Sequence, residues 1–261
     1  MKFRHKVSTG TRFNQVYIPR EFHDIFESGD LVEVRLIKKK ADLFYSKNTE
    51  KLRKFKESIA KKIFSVLGKF KDIKQTYLFG SFLTKNIEYN DIDLLIVTEN
   101  NNLEKISYNT LVKEINMKFH IISVSLDRLN RLLKICPITR SMLYYSVSNK
   151  PIMELPEREI NEKHIRFLLM LPEDVLDVEV NSSLLYEALR RLDAIDSFLR
   201  NIKIDPRKIE VNISKIMSKE LYLRISNNKL ISKKQRAYLN TTIKKMLKEI
   251  YKHIRWAKKI I

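Results

Sequence analysis

The sequence predicts an α+β fold: a small mixed β-sheet with helices on one face, an N-terminal β-α-β segment and a C-terminal all-helical domain. Three observations predict it. Between residues 48 and 155, β-rich apolar runs alternate with stretches of helical periodicity, as in a sheet backed by helices. From residue 156 onward only the helical period remains. Before residue 40, two β-rich runs flank a proline-led turn. The expected organisation is therefore 1–40, 48–155 and 156–261, and 261 residues at 44% hydrophobic content suffice to give the larger pieces real cores.

In the first segment, Arg12 to Ile18 is β-rich, and Pro19 suits the first turn of a short helix over Arg20 to Phe26. Ser28-Gly29-Asp30 makes a turn, and Leu31 to Ile37 alternates as a strand. A segment this short cannot bury a stable core by itself and needs a partner. The runs Val7-Ser8-Thr9-Gly10, Val16-Tyr17-Ile18-Pro19-Arg20-Glu21 and Gly29-Asp30-Leu31-Val32-Glu33-Val34 resemble the swapped-hairpin family of AbrB-like transition-state regulators. In that family two copies interlace into one small barrel and many members bind DNA. The resemblance implies a homodimer, with DNA binding or dimerisation alone as its purpose.

In the second segment, Asn48 or Thr49 is placed to cap a helix whose apolar face is Leu52, Phe55, Ile59, Ile63, Val66 and Phe70. Gln75 to Phe79 reads as a strand ending in the turn Gly80-Ser81. Asp91 to Thr98 is a strongly apolar strand, followed by a helix over Leu103 to Met117, a strand over Phe119 to Ser125 and helices from Leu126 to Val147. Pro151 to Met153 is a candidate last strand. The third segment centres on a helix from Ser182 or Ser183 to Arg200. Asp205-Pro206 then opens the next helical stretch as cap and first-turn proline, and Asn227-Asn228 breaks it. Ser232 and Gln235 form a capping box for the last helix, which buries Leu239, Ile243, Met246, Ile250, Ile254, Ala257 and Ile261.

Composition excludes several classes. Gly and Pro are too few for a disordered chain, the lone Cys136 cannot form an intrachain disulfide, and no apolar run reaches the roughly 20 residues of a membrane helix. Met1 to Gly10 lacks the apolar stretch of a secretory signal, so a cytoplasmic protein with no membrane partner is expected. The net charge is +20 and is unevenly spread: +7 over residues 41–155, −4 over 156–202 and +13 over 203–261. Lys244, Lys248, Lys252, Arg255 and Lys259 share one face of the last helix, with Tyr238, Tyr251 and Trp256 interleaved. Such a stripe suits RNA or DNA phosphates, and equally a solvated helix face.

The chemistry concentrates in Phe79-Gly80-Ser81 and Asp91-Ile92-Asp93. Carboxylates at i and i+2 of a strand point to one face and form a hard oxygen site suited to Mg²⁺. A Gly-Ser turn after a strand offers backbone N–H groups and a hydroxyl to phosphate, and glycine permits close approach. Together they are equipment for nucleotidyl transfer. These residues resemble the DNA polymerase β-like nucleotidyltransferase superfamily, in its minimal branch, over about 48–155. The resemblance implies that Asp91 and Asp93 hold Mg²⁺ and that Gly80 and Ser81 hold the β- and γ-phosphates of an NTP, with ATP the expected one. Relatives commonly carry a third acid on the later strand; His120 takes that position here, with Asp127 and Glu114 the nearest acids, and it either serves as general base or is a structural histidine. Lys85 stands where many relatives place a basic phosphate contact. Arg158 and His164 have a spacing similar to the Arg–His pair of HEPN-type ribonucleases, but at the wrong end of the helical region. Two functions are expected from these features: a Mg²⁺-dependent nucleotidyltransferase moving NMP onto an acceptor hydroxyl of RNA or protein, or a catalytically degenerate, dimeric, antitoxin-like DNA- or RNA-binding regulator.

Overall fold

In the computed structural model the chain separates into two compact units, Met1–Ile37 and Lys38–Ile261. Residues 3–35, 40–85, 89–100 and 102–257 are described, with 255–257 described by backbone alone. In the first unit β1 (Ser8–Thr9) pairs antiparallel with β2 (Asn14–Gln15), and the Gly10 N–H closes the hairpin on the Phe13 carbonyl at 3.0 Å. Pro19 leads into a single 3₁₀ turn, Arg20–Phe22, and Phe3 packs against Phe22 and Phe26. The strand expected over Leu31 to Ile37 is not formed within residues 31–35, and Ile37 lies outside the described residues. The reason is visible in exposure: Val7, Phe13, Tyr17, Leu31 and Val34 have no apolar surface of their own unit to cover them. An alternating pattern without a surface to pack on does not hold a strand.

The second unit is built on a five-stranded mixed sheet of order β3-β7-β4-β5-β6, with β3 Phe44–Tyr45, β4 Ile73–Phe79, β5 Ile92–Thr98, β6 Phe119–Val124 and β7 Val147–Ser148. β4 runs antiparallel to β5 and β7, whereas β5 and β6 are parallel. The last strand falls at Val147–Ser148, between β3 and β4, and not at Pro151–Met153. Beyond Ser148 the Asn149 N–H still donates to the Thr76 carbonyl at 3.3 Å and side chains add to the link: Thr76 N–H donates to Asn149 Oδ1 at 2.9 Å, and Gln75 Nε2 donates to Ser148 Oγ at 2.9 Å and to the Pro151 carbonyl at 3.1 Å.

Both faces of the sheet are covered. Leu78, Ile92, Leu94 and Ile96 pack against α1 (Lys54–Leu67) and α2 (Leu103–Ile115). Tyr77, Phe79, Leu95 and Val97 pack against α3 (Leu126–Ile135) and α4 (Pro137–Tyr144). The expected helices on one face are thus joined by a second pair on the other. The unbroken run Leu94-Leu95-Ile96-Val97 is the signature of a strand buried on both sides. In α1 the buried stripe is turned from the expected one: Phe55 is 69% exposed while Lys56 is only 7% exposed.

The helical region comprises α5 (Glu162–Asp177), α6 (Ser182–Leu199), α7 (Pro206–Ile216), α8 (Lys219–Ser226) and α9 (Lys233–Ala257) around one core. Asn161, Asn181, Asp205 and Ser218 each cap a helix through a side-chain oxygen. Ser232 and Gln235 form the expected reciprocal box, Gln235 N–H to Ser232 Oγ at 3.2 Å and Ser232 N–H to Gln235 Oε1 at 2.9 Å. Leu239, Ile243, Leu247, Ile250 and Ile254 form the buried stripe of α9, and Lys244, Lys248 and Lys252 lie exposed on another side. Arg255, Trp256 and Ala257 have no described side chains, and Lys259 and Ile261 lie outside the described residues. Among the described residues no helix is long and apolar enough to cross a membrane.

Candidate active site

The site lies at the end of β4 and the start of β5. Register alone brings its parts together: Phe79 pairs with Asp93, and Asp93 pairs with His120 across the parallel β5–β6 ladder. Because side chains alternate along a strand, Asp93 and His120 share the face that carries Phe79, Leu95 and Val97, and Asp91 stands one residue before β5, near enough for its charge to act on Asp93. His120 Nδ1 lies 3.1 Å from Asp93 Oδ1. His120 therefore sits one strand over from Asp93, at the position anticipated for a third acid.

Gly80 is required twice over. Its φ of +76° belongs to the left-handed side of conformational space, and a Cβ built on it would stand 2.0 Å from Asp93 Oδ2. The carboxylate of Asp93 thus rests directly on the turn. After Gly80 the chain makes a single 3₁₀ turn, Ser81–Leu83, rather than a long helix. The turn is held by Leu83 N–H to the Gly80 carbonyl at 3.2 Å and by Thr84 Oγ1 to the Ser81 carbonyl at 2.8 Å. A turn this short supplies local N–H groups and the Ser81 hydroxyl, but little accumulated helix dipole.

Burial pushes the Asp93 carboxyl above the usual carboxylate range, and the neighbouring Asp91 charge adds to this. The hydrogen bond to His120 and the more distant Arg190 charge act in the opposite direction. Like charges on one face, held in an oxygen-only donor set, fit a hard divalent cation, which relieves their repulsion and takes its remaining ligands from water and phosphate. Among the described residues no three His, Cys, Asp or Glu side chains converge as a metal cluster. Asp91 and Asp93 are thus the two carboxylates here that could hold a divalent cation. Lys85, at the far end of the turn, is ion-paired with Glu50 at 3.0 Å, and this contact holds the Glu50 carboxyl below its ordinary range.

Sequence reasoning missed two contributors. Lys56 on α1 reaches under the turn and donates to the carbonyls of Phe82 at 2.8 Å and Thr84 at 2.9 Å. Its ammonium also lies 5.3 Å from the Phe82 ring centre and 5.0 Å from that of Tyr89, which together screen it from water. Burial lowers its pKa. The available signal was a lysine in register with an apolar helix stripe, four residues after Leu52. The second is Arg190 on α6, near enough to influence Asp93 and paired with Glu210 at 2.9 Å. Glu210 also accepts from the hydroxyls of Tyr186 and Tyr222. Nothing local in the sequence links α6 to β5. Arg158 and His164 do not form a joint site: Arg158 Nη1 donates to the Leu199 carbonyl at 3.0 Å, whereas the His164 N–H is bound to the α5 cap.

Over part of the chain a family model agrees with the superfamily expected from the two motifs. A family model described as "Polymerase beta, Nucleotidyltransferase" matches residues 61–146, about a third of the chain, running from within α1 to the residue before β7. Among solved structures, the chain is similar to the spectinomycin adenyltransferase AAD(9) from Enterococcus faecialis, crystallised with ATP and spectinomycin, at 14% identity and a TM-score of 0.44, over 73% of this chain and 98% of that one. No curated protein matches the chain.

Proposed function

We propose that this protein is a Mg²⁺-dependent nucleotidyltransferase that moves a nucleoside monophosphate from an NTP, ATP in the first instance, onto an acceptor hydroxyl. One observation carries the reading: Asp93 lies at once against the Gly80 turn and beside His120, so that carboxylate, phosphate turn and a proton acceptor converge on one atom group. Asp91 and Asp93 would hold Mg²⁺, which supplies charge neutralisation for the triphosphate. Gly80, Ser81 and Lys85 would receive the β- and γ-phosphates, Lys85 exchanging its contact with Glu50 for a phosphate oxygen.

The remaining work falls to His120. With Nδ1–H donated to Asp93, Nε2 is the nitrogen left to accept a proton from the acceptor hydroxyl. The acceptor oxygen then bonds the α-phosphorus, the bond from that phosphorus to the bridging oxygen breaks, and pyrophosphate leaves while the proton stays on His120. The basic face of α9, with Lys244, Lys248 and Lys252 exposed, favours an acceptor on RNA or on a protein that carries RNA.

A second reading has its own support. Val7, Phe13, Tyr17, Leu31 and Val34 are left exposed, which favours an AbrB-like pairing of two copies, and the site has a histidine where a third acid is expected. A dimeric RNA- or DNA-binding regulator that binds nucleotide without turnover fits both facts. Thermal unfolding with a panel of NTPs, with and without Mg²⁺, tests the shared premise: wild type should be stabilised only by the pair, and Asp91→Ala/Asp93→Ala should not respond. Absence of a metal-dependent shift in wild type would end both readings of the site. Transfer of label from an α-labelled NTP to RNA or protein, lost in His120→Ala, then separates enzyme from regulator.

A further inference from the structure

A second concentration of chemistry lies between α4 and the end of α6. A cavity of about 240 Å³ is lined by Arg140, Tyr144, Leu155, Arg158, Phe198 and Lys203, together with the turn that follows α6. None of the residues gathered around Asp93 borders it. Three of its side chains are cationic and none of its lining residues is acidic.

The two arginines are fixed by one nitrogen each. Arg140 Nη1 donates to the carbonyls of Leu133 at 2.6 Å and Pro156 at 2.9 Å, and Arg158 Nη1 donates to those of Phe198 and Leu199. Arg158 also lies over the Phe198 ring at 5.9 Å, and the Lys203 ammonium lies 5.0 Å from the Tyr144 ring centre. Among the described residues neither Nε nor Nη2 of either arginine has a hydrogen-bond partner, and no carboxylate is ion-paired with Arg140, Arg158 or Lys203. Burial and the Arg158 charge both lower the Arg140 pKa. Helix-end carbonyls hold the guanidinium groups in place, but they do not neutralise two like charges brought together in a half-buried wall.

We propose that this cavity binds a small organic phosphate, its dianionic head on the free edges of Arg140 and Arg158 and on Lys203, its apolar body against Tyr144 and Leu155. The planar fork of a guanidinium matches two phosphate oxygens, and two forks with one mobile ammonium complete a dianion's coordination. The inference does not rest on the reading of Asp91 and Asp93.

The test is calorimetric titration of the full chain with phenyl phosphate, inorganic phosphate and phenol in metal-free buffer containing chelator. Phenyl phosphate should saturate one site, inorganic phosphate should bind there more weakly, and phenol should not bind. Lys203 is exposed and among the described residues makes no hydrogen bond, only the contact with the Tyr144 ring, so Lys203→Glu should lower the melting temperature little and weaken phenyl phosphate about tenfold. Arg158→Lys keeps the charge but loses the fork, and should weaken it about as much. Asp91→Ala/Asp93→Ala should bind as wild type does. The proposal is overturned if wild type shows no saturable binding, if both cavity variants bind as tightly as wild type, or if binding disappears in the aspartate variant.

Discussion

Gly29 and Gly80 make the same backbone demand for different reasons. Both have positive φ, +109° and +76°, yet a Cβ at Gly29 would meet nothing within 4 Å while one at Gly80 would strike the Asp93 carboxylate. Their surroundings differ in the same sense. Leu31, two residues past Gly29, is 102% exposed, whereas Leu94 beside Asp93 is fully buried. In the N-terminal unit the sequence sets a turn and leaves the packing open. In the sheet unit every residue near the turn is fixed by something else: Gly80 by Asp93, the turn carbonyls by Lys56, and Asp93 by the strand on either side.

The contrast ranks the expected effects of substitution. Leu94→Ala should cost about 3 kcal/mol in a urea titration, whereas Leu31→Ala should change stability by less than about 0.5 kcal/mol in dilute protein. If Leu31→Ala instead loses stability as protein concentration rises, its side chain is covered by a second copy, and the contrast belongs to the monomer alone. Gly80→Ala should cost at least about 2 kcal/mol, from left-handed strain plus displacement of Asp93, and should abolish the Mg²⁺-dependent response to NTP. Gly29→Ala carries only the strain, about 1 kcal/mol, and should leave that response intact.

Lys56→Met should cost about 1–2 kcal/mol, because the Phe82 and Thr84 carbonyls lose their donor. It should also weaken Mg²⁺-NTP binding while leaving the carboxylates in place; an unchanged affinity would make Lys56 a packing residue only. A stability effect of opposite sign is expected for Asp93→Asn. Burial and the Asp91 charge both disfavour an ionised Asp93, so the neutral amide should hold or raise the melting temperature without metal. The same variant should lose the metal-dependent response entirely. A clear loss of stability would show that the ionised carboxylate is a structural partner of His120 first.

Much of the fold and of the site is legible in the sequence. Strands β4, β5 and β6, helix α2 and the α9 capping box lie where periodicity and cap chemistry place them, because those signals act over a few residues. The closeness of Asp91 to Asp93 follows from their spacing of two residues, although Asp91 stands just before β5 begins at Ile92. The departures have equally local causes. A cap at Asn48 or Thr49 is too early: α1 starts at Lys54 from an Arg53 that makes no side-chain cap bond. Aromatic burial is the stronger prior and favours Phe55 as core, yet Lys56 has two carbonyls and two rings to receive it and Phe55 has no such pocket. The two-residue strands β3 and β7 are too short to leave a period.

By itself the chain determined the strands β4 to β6, the helix caps at Asp205 and Ser232 and the spacing of its two chemical motifs, since each depends on neighbours within one helical turn or one strand. Only the tertiary structure decided that His120 stands beside Asp93, that Lys56 holds the turn after Gly80, that Arg190 on α6 is paired with Glu210 on α7 and that Arg140 and Arg158 share a wall. These pairs are far apart along the chain, and Coulombic and hydrogen-bond energies depend on distance in space. The sheet register and the docking of α4 on α6 set those distances, through burial of apolar side chains that carry none of the chemistry.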